Sequence, residues 1–248
     1  MRALIGNGRY KVTEVLYSED GYDVCLCTDV TVNTEKTVIV NTYSRREYIG
    51  EFLPMFFAAD QNGMKDLIGL VTSQGSVSAI FEHHKGISFA EYFLQKGKKG
   101  AEPDFEESMR IAEELLRSSV ELDTEDDRIA FCALNERNIT IDPTAETVSF
   151  NLCIFPKAVP EPAFKGKRTG LLIEKMFPEG RYLPEEIELF TKELRGGKYP
   201  TCTAVYSRWR EISGDARETR AAYEKESFIK YLSRKNKHNK QTKGSASG

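Results

Sequence analysis

The sequence lacks any apolar run near the ~20 residues that a membrane-spanning helix needs. Its longest such runs, 52–59 and 129–134, are far shorter. No charged-then-apolar leader opens the chain, so a cytosolic location is expected. No Cys-x-x-Cys pair is present. The five cysteines, Cys25, Cys27, Cys132, Cys153 and Cys202, are odd in number and scattered, which favours reduced thiols over a disulfide framework. Cys25 and Cys27 fall on one face of a strand. No Ser-His-Asp set, carboxylate pair, metal-ligand cluster or internal repeat stands out. A strong net charge is missing too: 35 Lys+Arg against 38 Asp+Glu leave −3, which argues against a dedicated nucleic-acid binder.

What is present is an ordinary globular composition. Over 248 residues, 40% hydrophobic and 29% charged, the chain has room for one large domain or two modest ones. Its charge is unevenly placed. From residue 227 onward there is no acid, while Lys230, Arg234, Lys235, Lys237, Lys240 and Lys243 supply six positive charges. The first 226 residues therefore carry 29 basic and 38 acidic groups, a net of −9. An acidic body ends in a basic tail.

Residues 10–81 are mostly strand-like. The runs 10–16, 22–29 and 37–42 are rich in Val, Ile, Tyr and Cys, and turn-forming residues at 18–21 and 33–35 separate them, which predicts an antiparallel meander. A helix is predicted over 45–59, with Pro54 expected to end or kink it. A second hairpin is predicted from 67–72 and 77–82. Beyond Gly86 the period changes: 87–96 and 104–122 space their apolar residues as helices do, with Phe105, Met109, Ala112, Leu115, Leu116 and Val120 recurring at helical intervals. A small hairpin is expected from 129–142 and 147–152, followed by an irregular Pro-rich stretch. Helices are predicted over 170–177, 184–195 and 201–212, then a polar one over 215–234 that fades into a flexible run. Strands first and helices second predict a two-lobed α+β protein.

The order of these elements, with the residues inside them, resembles the protein kinase fold. The stretch Phe131-Cys-Ala-Leu-Asn-Glu-Arg-Asn138-Ile-Thr-Ile-Asp142 lines up with the catalytic loop H-R-D-L-x-x-x-N and the strand after it. Residues 78–86 look like the last strand of the N-lobe, the hinge and the glycine that follows, and residues 24–29 and 37–41 look like N-lobe strands two and three. The resemblance covers about residues 8–212. It implies a two-lobed fold, with an antiparallel β N-lobe plus one helix over 8–84 and a compact, shortened, mostly α C-lobe over 85–212. Residues 213–248 are then a polar helix and a basic flexible tail.

The chemical positions depart from the kinase pattern. Phosphoryl transfer needs a loop over the phosphates, a lysine on them, Mg²⁺ held by Asp and Asn, and an Asp that positions the hydroxyl. The glycine-rich loop reads here as Tyr17-Ser-Glu19-Asp-Gly-Tyr22-Asp-Val24, with its three glycines replaced and Gly21 out of register. Tyr17 and Tyr22 would obstruct the backbone's approach to phosphate. Glu19, Asp20 and Asp23 would repel it, by about 4 kcal/mol for a charge pair at ~4 Å under surface-like screening. The lysine position is Asn41, and the small residue that lies over adenine is Ile39. The catalytic aspartate is Ala133, which cannot orient a hydroxyl proton. D-F-G reads Leu152-Cys153-Ile154. Asn138 alone survives, and its side chain is read as bonding the loop backbone, as Asn does in turns, with a vestigial metal ligand as the alternative. Glu47 and Glu51 are read as solvated helix residues. Of the adjacent His83 and His84, one buried and one exposed is the expectation.

With Asn41, Ala133 and Leu152 replaced together, the resemblance implies a degenerate, bacterial-type Ser/Thr pseudokinase domain that is no enzyme and takes no cofactor and no metal. The expected function is a protein-interaction or scaffolding module with protein partners. A nucleotide-binding regulatory domain without phosphoryl transfer is the alternative. Two readings stand for the basic tail, a solvated terminus and a juxtamembrane segment at the inner face of the cell membrane drawn to anionic lipid, while the ending 244–248 reads equally as a linker. Nucleic acid is not expected there, because no aromatic platform interleaves with the charge.

Overall fold

Alternation of buried and exposed side chains builds the first third of the chain into one curled antiparallel sheet. The computed structural model describes residues 4–32, 36–73, 75–98, 104–177 and 182–244, leaving aside the side chains of 94–98 and 228–244. Six strands, β1 (Leu4–Ile5), β2 (Tyr10–Glu19), β3 (Tyr22–Asp29), β4 (Thr37–Tyr43), β5 (Leu67–Ser73) and β6 (Ser76–Glu82), pair in the order β1-β2-β3-β4-β6-β5. In β3, Tyr22 and Val24 face one side, and Cys25 and Cys27 face the other, so both sheet faces bury side chains. All five cysteines are free. The β2–β3 hairpin turns on Asp20-Gly21, where Gly21 takes φ +81°, a left-handed conformation that a side chain would strain.

Helix α1 (Arg46–Gln61) lays Phe52, Met55, Phe56 and Ala59 against the inner face of the sheet. Pro54 does not end it. The carbonyl deprived of a donor belongs to Gly50, and both residues are exposed, so that carbonyl is open to solvent and not buried without a partner. A second, three-stranded sheet pairs β7 (Ile87–Ser88), β8 (Ile139–Asp142) and β9 (Thr147–Phe150) in that order.

The helices of the second lobe are α2 (Phe89–Lys98), α3 (Phe105–Ser119), α4 (Asp127–Ala133), α5 (Phe164–Met176), α6 (Glu185–Arg195) and α7 (Cys202–Gly244), with a 3₁₀ turn at Val120–Asp123. Asp104 caps α3 through the Glu107 N–H at 2.6 Å. Trp209 is fully buried between helices, and its indole N–H donates to Glu113 of α3 at 2.6 Å. Asp123 accepts from the Cys202 and Thr203 N–H groups at 2.9 and 2.7 Å, which fixes the start of α7.

Three elements differ from expectation. Residues 127–133 are helical, where 129–142 was predicted as the first arm of a hairpin, because Asp126 caps them through the Arg128 N–H at 2.9 Å and Ile129, Ala130, Cys132 and Ala133 bury on helical spacing. Helix α5 starts at Phe164, before the predicted 170. Helix α7 is unbroken to Gly244, where two helices and a flexible run were expected. Its last buried residue among those with described side chains is Ala216, and 221–227 are exposed throughout.

Candidate functional site

One core runs through both lobes, and its middle is where the sequence places its chemical positions. Strand β4 directs Asn41 and Tyr43, two residues apart and so on one face, at the segment Leu152-Cys153-Ile154 that follows β9. Asn41 is fully buried. Its Nδ2 donates to the Leu152 carbonyl at 2.8 Å, and its Oδ1 accepts from the Ile154 N–H at 2.8 Å and from the Tyr22 hydroxyl at 3.3 Å. The Tyr43 hydroxyl donates to the Ile154 carbonyl at 2.7 Å. The Asn41 carboxamide therefore offers this segment the donor and acceptor that a neighbouring strand's backbone would offer.

Of two further asparagines, Asn138 braces the same segment and Asn151, just before it, ties to residues 84 and 140. Asn138 Nδ2 donates to the Cys132 and Cys153 carbonyls at 2.9 and 3.0 Å, a backbone-bracing role as the sequence reading favoured. Asn151 Nδ2 donates to the His84 carbonyl at 3.0 Å and to Thr140 Oγ1 at 2.6 Å, while its Oδ1 accepts from the His84 N–H at 2.8 Å. Sequence reasoning missed Asn151, Tyr43 and Phe155. The period-2 step from Asn41 to Tyr43 was the available signal for Tyr43.

Aromatic rings fill the space above these bonds. Tyr22 stacks on Tyr43 at 5.1 Å, and Tyr43 on Phe52 at 4.4 Å with planes 9° apart. Tyr17 meets Phe155 edge-on at 5.3 Å, and Tyr22 meets it at 6.1 Å. The β2–β3 hairpin is thus tied down onto residues 152–155. Ile39, Ala133 and Leu152 are buried in the same core. Burial drives the Tyr22 and Tyr43 hydroxyls far above the usual range, against only a small opposing effect of Arg128 at Tyr43, so both are neutral donors.

The acids of the hairpin are less isolated than the sequence suggests. Glu19 pairs with Lys157 at 2.9 Å, and the Tyr17 hydroxyl and Lys157 hold its carboxyl below the ordinary range. Asp20 pairs with Arg45. Glu51 meets Arg128 at 2.6 Å and Glu47 meets Arg45 at 3.7 Å. His83 and His84 are both half-buried, contrary to the expected division: Thr37 Oγ1 lies 2.9 Å from His83 Nδ1, and Asp66 lies 3.3 Å from His84 Nε2. Among the described residues no group of three or more His, Cys, Asp or Glu is placed to hold a metal ion.

No family model and no curated protein matches the sequence. Among solved structures, the chain is similar to the protein kinase Rad53, residues 1–466, in complex with AMP-PNP, with a TM-score of 0.60 and 13% identity. The match covers 82% of this chain and 66% of that one. The chain has a protein kinase-like fold. The two-lobed α+β expectation therefore holds. One expectation is corrected: the solved structure that shares this fold is a protein kinase crystallised with a nucleotide analogue, so the fold gives no ground for setting the chain outside the enzymes. Among the described residues no helix is long and apolar enough to cross a membrane.

Proposed function

We propose that this kinase-like domain works as a protein-interaction module whose lobes are held in one arrangement by their own side chains. The observation that carries the reading is Asn41, which spends its donor and its acceptor on Leu152 and Ile154 across the cleft. In the kinase pattern this strand position would carry the cation for nucleotide phosphates. Nucleotide entry here requires parting those bonds and the Tyr17–Tyr22–Phe155 cluster, which is why the nucleotide-binding reading ranks second. Helix α7 supports the interaction role. It stays on the body as far as Tyr223, which stacks on Tyr182 at 3.8 Å, and the side chains described beyond it, 224–227, are polar and exposed, the pattern of a helix that bridges to something else.

The same reading includes protein partners and a contact with an anionic surface through Lys230, Arg234, Lys235, Lys237, Lys240 and Lys243, which would place the domain at the inner face of a membrane. The support is compositional, six cations without an acid, because these side chains lie outside the described residues. Two experiments test the proposal. A thermal-shift titration with Mg²⁺–ATP to about 1 mM is expected to leave the melting temperature unchanged, and a saturable rise overturns the closed-cleft reading. Co-sedimentation with phosphatidylserine vesicles is expected to fall when residues 228–248 are removed, and unchanged sedimentation overturns the surface contact.

A further inference from the structure

The face of the six-stranded sheet turned away from the cleft borders a half-open cavity of about 710 Å³. That volume lies within the roughly 300 to 1,000 Å³ of small-molecule pockets. The curl of the sheet makes it. Strands β1 and β5 are opposite edges of the sheet, yet the loop after β1 sets Gly6 against β5. Gly6 has φ +62°, and a Cβ there would lie 3.0 Å from the Tyr10 ring and 3.5 Å from Val71. The left-handed φ and the close Tyr10 ring favour glycine at this turn, while the distance to Val71 is ordinary van der Waals contact.

The lining is divided. Val12, Cys25 and Val71 form an apolar floor continuous with the buried cluster of Tyr10, Cys27, Val40 and Ile80. At the other end, strand register sets Ser18, Asp23, Thr42 and Ser78 in one row across four strands. Thr42 Oγ1 and Ser78 Oγ lie 2.9 Å apart, and Ser18 Oγ donates to Asp23 Oδ1 at 2.6 Å. Asp23 is half-buried, and it is the one charged side chain among the described lining residues. No ion pair to it occurs among the described residues, in contrast to its neighbours Glu19 and Asp20. An apolar trough thus ends in hydroxyl groups around an unpaired carboxylate.

We propose that this cavity binds a small amphiphile, with its apolar body on the Val12–Cys25–Val71 floor and a cationic, ammonium-type head on Asp23. Charge sets the selectivity: a carboxylate head meets like charge at Asp23, and a neutral head forgoes the ion pair. The hydroxyl row supplies acceptors for the remaining N–H groups of an ammonium. This inference concerns the sheet face opposite the cleft and stands apart from the proposed function.

The test is displacement of the neutral fluorophore N-phenyl-1-naphthylamine from the purified protein by decylammonium or by decanoate, at equal chain length and below micelle formation, at pH 7. Decylammonium is expected to displace the dye at about tenfold lower concentration than decanoate, an advantage of about 1.4 kcal/mol. Asp23→Asn keeps the shape and is expected to bring the two within about threefold. Val12→Phe, a substitution at a half-buried position, is expected to weaken both competitors, with circular dichroism confirming the fold of each variant. Absence of dye binding, equal displacement by both head groups, a preference that survives Asp23→Asn, or unchanged affinity in folded Val12→Phe would each overturn the proposal.

Discussion

Asn41 and Leu152 lie 111 residues apart in the chain and are joined by a 2.8 Å hydrogen bond from the Asn41 side-chain amide to the Leu152 carbonyl. With the return bond from the Ile154 N–H, this one side chain splices the β4 strand to the segment after β9. A lysine carries donors only. At this position it would leave the Ile154 N–H without an acceptor, so the local structure and a phosphate-binding cation exclude each other.

Asn41→Leu removes all three side-chain bonds and leaves a buried carbonyl, a buried N–H and the Tyr22 hydroxyl short of a partner. The expected loss is about 2 to 4 kcal/mol, read as a lower urea midpoint with an unchanged slope. Asn41→Lys is expected to cost at least as much, because it adds a charge to the same buried place.

Tyr43→Phe deletes a single hydrogen bond, to the Ile154 carbonyl, and keeps the ring stacked on Phe52. About 1 kcal/mol of lost stability is expected. Because Asn41 and Tyr43 brace the same three residues, a double-mutant cycle is expected to be non-additive by about 0.5 kcal/mol or more. Strict additivity would mean that the segment does not respond as a unit.

Much of this fold is legible in the sequence. The N-lobe strands follow from alternation and from a turn that only Gly21 satisfies, and α3 follows from its apolar stripe. The short helix α4 was hidden because the apolar run at 129–134 fits either period over so few residues, and its cap, Asp126, sits among other acids. The start of α5 was obscured by Gly166, a residue that weakens a helical pattern. The bracing role of Asn41 was out of reach of any local pattern, since its partners are backbone atoms more than a hundred residues away. Ala133 and Leu152 stood out in the sequence only through the kinase resemblance. That they pack into one continuous core with Ile39 required the structure.

The two adjacent histidines titrate in opposite directions. Asp66 raises the His84 pKa, while burial and the neighbouring His84 lower that of His83. The 3.3 Å His84–Asp66 contact is an ion pair without a well-directed hydrogen bond on Nε2. A raised folded-state pKa gives stability that is complete below the unfolded value of about 6.5 and is lost as pH rises through the folded value. Wild type is therefore expected to exceed Asp66→Asn by about 0.5 to 1 kcal/mol near pH 5.5, with the gap closing by about pH 8. Urea midpoints across that range check it. A gap that widens with pH would reverse the assignment.

Burial pushes the thiols of Cys27, Cys153 and Cys202 up to about 12 and raises those of Cys25 and Cys132. Reaction depends on the thiolate. Ellman's reagent at pH 8 is expected to label the native protein slowly and all five thiols promptly in guanidinium. Rapid native labelling would show a cysteine in a more open setting than the structure gives it.

The most direct test of the account is hydrogen exchange at the backbone amide of Ile154. With Asn41 Oδ1 as its acceptor inside a closed cleft, that amide is expected to exchange slowly, at the same rate with and without about 1 mM Mg²⁺–ATP, and to lose its protection in Asn41→Leu. Fast exchange in the wild type, or a rate that changes when the nucleotide is added, would contradict it.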